Sequence, residues 1–221
     1  MKRIIIFHGW EADSTSNWFP WLADELRKKD FNVIVPDFPN TMNPKLGEWI
    51  DFVAAGLTSS SEALSEGRIP ANNSRQPQGL QLQNSILIGH SLGTPFILRL
   101  LEKFASENLE HMSGGEMIKP VYTNRVKAAF LVSSFDRTLG IPELDNFVNK
   151  PFNWQKIKNA CEKFYVFHSD NDPYIPLWIG EEIAKKLNAE LIIEKDGEHL
   201  NAVGGLLEYP RLLETIVNSS K

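Results

Sequence analysis

A three-layer α/β/α sandwich, with helices on both faces of a mostly parallel β-sheet, is the fold this sequence predicts, and three observations predict it. Six short apolar runs rich in β-branched residues recur at positions 3–7, 31–35, 85–88, 126–132, 163–167 and 190–193, and each has the length and composition of a buried strand. Segments with apolar residues at helical spacing lie between them, and strands alternating with helices require parallel pairing through crossovers. The chain is also large enough: 221 residues with 42% hydrophobic content can bury a full core without staples or metals, so residues 1–221 are expected to form a single domain.

Each element has its own justification. The run at 3–7 holds Ile4, Ile5, Ile6 and Phe7. The first helix is marked by Trp18, Trp21, Leu22 and Leu26, with Ser16 or Asn17 as its N-cap and Arg27, Lys28 and Lys29 at its end, where cations complement the helix dipole. Trp10, Trp18 and Trp21 serve equally well as core or as a substrate cradle. After the strand at 85–88 a second helix is spaced by Ile97, Leu100, Leu101 and Phe104, and a third follows the strand at 163–167 with Ile179, Ile183 and Leu187. The last helix is expected to begin at Pro210 and to bury Leu213, Ile216 and Val217. Stretches 58–83 and 106–124 are rich in polar residues, glycine and proline, and read as surface insertions. A third irregular stretch, 133–152, follows the fourth strand and carries Phe135, Ile141, Pro142, Phe147 and Phe152. Ligands in an open parallel sheet sit at strand C-terminal ends, so this stretch is expected to overhang a pocket.

Composition narrows the function. With 23 basic and 28 acidic residues the net charge is −5, which lacks the basic surplus that nucleic acid or an anionic membrane attracts. The apolar run near the start is too short for a signal-peptide core, and none elsewhere approaches a membrane span. Cys161 is the only cysteine, so no internal disulfide forms and a reducing, cytoplasmic setting is expected. A metal-dependent hydrolase drawing on His8, His168, Asp170, Asp172 or His199 lacks the i, i+4 histidine pair or cysteine cluster such sites use. Neither metal nor cofactor is expected.

The strongest chemical signal is Gly89-His90-Ser91-Leu92-Gly93, placed after a strand and before a helix. That is the context of a Gly-x-Ser-x-Gly nucleophile elbow. The sharp turn strains the serine backbone, and the residues two before and two after must be small for strand and helix to pass closely. The helix that begins there points free N–H groups at Ser91, which makes Leu92 N–H a natural donor to a developing oxyanion.

A serine nucleophile needs a base and an acid, which in this architecture follow it in that chain order reversed: acid first, then histidine. Only His199, in Asp196-Gly197-Glu198-His199-Leu200-Asn201, lies after the last strand; His90 is expected to pack and His111 to be solvated in an insertion. The acid should come from His168-Ser169-Asp170-Asn171-Asp172-Pro173-Tyr174-Ile175-Pro176, where Asp172 is favoured over Asp170 because it precedes Pro173 and stands just ahead of a helix opened by Pro176. Asp172 would accept the Nδ1–H of His199 and fix its tautomer. Asp170 would be a turn residue or an acceptor for backbone N–H groups.

These motifs, with His8-Gly9-Trp10, Trp18-Phe19-Pro20-Trp21-Leu22, Pro36-Asp37-Phe38-Pro39 and Phe152-Asn153-Trp154-Gln155-Lys156-Ile157, resemble the α/β-hydrolases over almost the whole chain, and more narrowly the small serine hydrolases related to retinoblastoma-binding protein nine and the bacterial YdeN proteins. The resemblance implies six strands in the order 2-1-3-4-5-6, no large cap domain, and a second oxyanion donor near Gly9 or at Trp10. Two departures stand out: the insertions are longer than the family's usual connections, and His168 takes a place where relatives often have glycine. The Leu-x-Cys-x-Glu signature for pocket-protein binding is absent, since Glu162 directly follows Cys161.

The expected activity is therefore cofactor-free cleavage of a small-molecule ester, or an amide or thioester, through an acyl-enzyme on Ser91. The alternative is a binding protein that keeps this fold with weak or vestigial catalysis, which fold alone does not exclude. Oligomeric state has no signature in the sequence.

Overall fold

A computed structural model describes residues 2–56, 82–110 and 125–220. In chain order the elements are β1 (Arg3–Phe7), α1 (Phe19–Arg27), β2 (Asn32–Ile34), α2 (Leu46–Gly56), β3 (Ile86–His90), α3 (Gly93–Glu110), β4 (Val126–Val132), α4 (Asp145–Val148), α5 (Trp154–Ala160), β5 (Cys161–Ser169), α6 (Leu177–Leu187), β6 (Glu190–Glu194) and α7 (Pro210–Ser219). The six strands form one sheet in the order β2-β1-β3-β4-β5-β6, and every neighbouring pair is parallel.

Side chains on a strand alternate between faces, so the apolar runs feed two separate cores. Ile5, Phe7, Leu87, Ala129, Leu131 and Val166 face one side, where α2 to α6 pack through residues such as Trp49, Phe96, Phe147, Ile157 and Ile183. Ile4, Ile6, Ile88, Phe130, Val132 and Phe167 face the other, which α1 and α7 cover with Trp18, Leu22, Leu26, Leu212 and Ile216. This doubly covered arrangement is why the strands read as continuous apolar runs.

Several boundaries differ from the sequence reading. Strand β3 runs on through Gly89 and His90, and β5 spans 161–169, so both strands end on polar residues that an apolar criterion omits. Helix α1 starts at Phe19 with Trp18 at the N-cap and no side-chain cap. Ser16 and Asn17 are occupied elsewhere: Ser16 Oγ donates to Asp13 Oδ1, and Asn17 Oδ1 accepts from Ala202 N–H. Helix α3 continues to Glu110, past the expected break at position 106, because nothing in 106–110 interrupts a helix before Gly114. Helix α7 begins at Pro210 as expected, but buries Leu212 with Ile216, while Leu213 and Val217 stay partly exposed. Most of the 58–83 and 106–124 insertions, with His111, lies outside the described residues; Leu82, at the end of the first, is buried in the core.

Candidate active site

The elbow is built at the C-terminal end of a central strand. Ser91 sits between β3 and α3 with φ +52°, a left-handed conformation that costs a non-glycine residue on the order of 1–3 kcal/mol. Local hydrogen bonds hold it there. Ser91 N–H donates to the Val132 carbonyl at 3.0 Å, and the Ser91 carbonyl accepts from Thr94 N–H at 2.9 Å and Thr94 Oγ1 at 2.7 Å. Both flanking glycines are obligatory. A Cβ on Gly89 would come within 2.6 Å of the Gly93 carbonyl oxygen, and one on Gly93 would strike the carbonyls of Phe7 and His8. Leu92 stands at the start of α3, where an N–H has no intrahelical acceptor.

His199 lies in the loop after β6, on a backbone where Asp196, Glu198 and Leu200 all have positive φ, at +53°, +50° and +51°. The polar end of β5 and the turn after it hold this loop: Asp170 Oδ1, Ser169 Oγ and Asn171 Oδ1 accept from the successive N–H groups of Asp196 (2.8 Å), Gly197 (2.9 Å) and Glu198 (2.8 Å). The His199 carbonyl accepts from His90 Nε2–H at 2.9 Å and Ser133 Oγ–H at 3.1 Å. Its imidazole Nδ1 stands 2.8 Å from Asp172 Oδ2. Of the two roles open to Asp170 in the sequence, turn residue or backbone acceptor, the structure shows the second, and Asp172 is the carboxylate that meets the imidazole.

The Asp172 side chain is fully buried. Its other oxygen, Oδ1, accepts from the N–H groups of Tyr174 (2.9 Å) and Ile175 (3.0 Å). Burial works to raise its pKa, but the hydrogen bond and charge of His199 and the two backbone donors outweigh it and leave the carboxyl below its usual value.

The β1–α1 loop closes the other side. His8 Nε2 accepts from Phe38 N–H at 3.1 Å, which leaves the proton on Nδ1 to donate to the Gly9 carbonyl at 2.8 Å. Because a peptide unit is planar and trans, pinning the Gly9 oxygen also fixes the direction of Trp10 N–H. Gly9 is close enough to Ser91 that a Cβ there would lie 3.2 Å from Ser91 Cβ.

These loops enclose a cavity of about 380 Å³ lined by Gly9, Trp10, His90, Ser91, His199 and Tyr174. Leu139, Ile141 and Leu144 supply an apolar wall, so the 133–152 stretch overhangs the strand ends as its position suggested. Of the three early tryptophans, Trp10 lines the cavity, whereas Trp18 is buried with Nε1–H donating to the Leu200 carbonyl at 2.9 Å and Trp21 packs on the second core. His90 packs against Trp18 and Phe19, as expected, but its bond to His199 was not legible in advance. Nor were Ser133, Ser169 and Asn171; the only signal was that polar residues directly follow apolar runs. Burial lowers the pKa of His8, of His168 and of His90, the last to about 3, and so favours the neutral imidazole in each. Among the described residues no three histidine, cysteine or carboxylate side chains converge as a metal site, and no helix is long and apolar enough to cross a membrane.

Comparison with known proteins gives the family and the fold. The serine hydrolase family model matches residues 76–218. The chain is 28% identical over 218 residues to YdeN of Bacillus subtilis (strain 168), covering 98% of this chain and 95% of that protein. It superposes on the crystal structure of the ydeN gene product from B. subtilis with a TM-score of 0.75 and 25% identity, over 99% of this chain and 98% of that one. It is also 23% identical to the serine hydrolase RBBP9 of Rattus norvegicus, over 84% of this chain and 79% of that protein.

Proposed function

The chain belongs to the serine hydrolase family, and from that premise we propose that it cleaves a carboxylic ester, or an amide or thioester, of a small molecule through an acyl-enzyme on Ser91. In this reading residues 1–221 act as one α/β-hydrolase domain. One observation carries the proposal: Ser91 and His199 line the same cavity while His199 Nδ1 is bonded to a buried carboxylate, Asp172.

With Nδ1–H donated to Asp172, His199 presents an unprotonated Nε2, the form that can take a proton. Ser91 Oγ passes its proton to Nε2 as it bonds to the substrate carbonyl carbon, and the carbonyl oxygen becomes an oxyanion facing Leu92 N–H and Trp10 N–H. Collapse of that intermediate expels the alcohol, amine or thiol, which takes the proton from His199. Water then repeats the sequence on the acyl-enzyme, releasing the acid and restoring Ser91. Asp172 stays ionised throughout and stabilises the imidazolium. No step uses a metal or cofactor.

Labelling with a fluorophosphonate and mapping the modified peptide tests activity and nucleophile together. Modification at Ser91, its loss in Ser91→Ala, and a fall in kcat of up to about a millionfold on an activated aryl ester are expected. A folded Ser91→Ala variant that still turns over the ester near the parent rate would overturn the reading.

A further inference from the structure

His168 is not part of the proposed chemistry, yet it is buried among groups that are. It lies on β5 in register with Ile193 of β6, so its imidazole is anchored to the sheet rather than to a loop. Its Nε2–H donates to the Ile175 carbonyl at 2.8 Å. Ile175 in turn donates its N–H to Asp172 Oδ1 at 3.0 Å and lines the cavity with a fully buried side chain. The two peptide groups on either side of one Cα are therefore tied down, one by the sheet and one by the carboxylate. Pro176 follows and restricts Ile175 to extended backbone, so the remaining freedom of that residue is small.

Two further details mark this imidazole as more than filler. Its Nδ1 is buried without a hydrogen-bond partner among the described residues, a cost that an apolar side chain of similar size would not carry. The space it fills is left open by Gly180 of α6, where a Cβ would come within 2.6 Å of His168 Nδ1. Imidazole and glycine fit as a matched pair between the sheet and the helix that follows the acid loop.

We propose that His168 is a positioning residue for Asp172, clamping the acid loop to β5 through the Ile175 carbonyl and so holding the carboxylate at the distance His199 requires. The proposal rests on the reading of Asp172 and His199 given above. Small displacements of an orienting group lower rates by roughly ten- to a hundredfold without loss of fold.

The test compares His168→Leu, which keeps bulk and loses the donor, with His168→Gln, whose side-chain amide can reach the same carbonyl. In a folded His168→Leu protein kcat on a soluble aryl ester is expected to fall by roughly tenfold or more. The acid limb of kcat/KM should move to lower pH as the carboxylate supports the imidazolium less well, and the downfield proton resonance of the His199–Asp172 bond should weaken. Glutamine should restore all three readouts. Should leucine unfold the protein, Gly180→Ala displaces the imidazole from the opposite side while favouring the helix, and it is expected to move the same readouts in the same direction. Unchanged kcat, acid limb and resonance in folded His168→Leu or Gly180→Ala would overturn the clamp, as would a folded glutamine variant no better than leucine. Asp172→Asn, measured alongside, separates the two failures. If it is inactive while His168→Leu is normal, only the clamp is wrong; if it is active, the reading of the acid fails and the clamp with it.

Discussion

His90 is tied to His199 through the backbone, its Nε2–H donating to the His199 carbonyl oxygen at 2.9 Å while the two rings meet edge-on with centroids 5.0 Å apart. The residue that precedes the proposed nucleophile in sequence thus holds the proposed base from behind, and among the described residues Ser133 shares that carbonyl. His90→Phe keeps the packing against Trp18 and Phe19 but removes the bond. A net hydrogen bond of about 1–1.5 kcal/mol corresponds to roughly tenfold, so kcat on an aryl ester should fall by about that factor. His90→Phe with Ser133→Ala should fall further than either alone, which steady-state kinetics on the three folded variants will read.

The two aspartates of the acid loop should separate cleanly. Asp172→Asn stabilises the wrong imidazole tautomer and is expected to lower kcat by roughly ten-thousandfold with the fold intact. Asp170→Asn keeps an oxygen for Asp196 N–H and should cost at most about 1 kcal/mol of stability with kcat near the parent value. Kinetics with circular dichroism on both variants is the check, and the reverse ranking would mean the acid is misassigned.

Gly93 and Gly47 make a stability pair. Gly93→Ala drives a methyl into the carbonyls of Phe7 and His8 and should destabilise the fold by about 3 kcal/mol or more. Gly47→Ala, in α2 with nothing within 4 Å of the added carbon, should instead gain about 0.5–1 kcal/mol of helix propensity. Urea unfolding midpoints of the two variants should move in opposite directions.

Acid should weaken the fold before it protonates the carboxylates. His8, His90 and His168 have native pKa values held below the ordinary 6.5, so the unfolded chain binds protons that the native chain does not. Stability from these groups is intact above about pH 6.5 and declines as pH falls below it, and for His90 the decline approaches roughly 1.4 kcal/mol per pH unit and continues down to about pH 3. Asp172 adds a later loss of the same sign, since its depressed native pKa makes its contribution present above the unfolded carboxylate value and lost as pH falls through the native one. Urea unfolding at pH 7.5, 6 and 5 should show the decline, and His90→Phe should flatten it.

The apolar runs of β1 and β4 were legible to the residue because, Arg3 and Lys127 apart, both strands are buried. The runs at 85–88 and 163–167 stopped short of His90 and Ser169 for the converse reason: the C-terminal ends of β3 and β5 face the cavity and its loops, so they carry polar groups while remaining in the ladder. Gly89 and Gly93 could be read from the motif because the clash they avoid is local to one turn. The bonds from Ser169, Asp170 and Asn171 to the N–H groups of 196–198 could not be read that way, since acceptor and donor are joined only by the sheet. Helical spacing reads Trp18 as part of the first helix, whereas the structure puts it at the N-cap with its indole N–H on the Leu200 carbonyl, a partner that spacing does not reveal.

The His199 loop borrows almost all of its support from other parts of the chain, and it leaves the sheet from β6, which among the described residues is an edge strand, paired with β5. An isolated segment with three left-handed residues in five has no reason to hold that shape, so the loop acquires it only once β5 and β6 have paired. Edge strands open more readily than central ones. A fluctuation that frees β6 would dissolve the setting of the proposed base while the elbow, seated between β1 and β4, stays whole. Inactivation by heat or denaturant is therefore expected to be decoupled from global melting, with activity lost under milder conditions than the bulk of the fold.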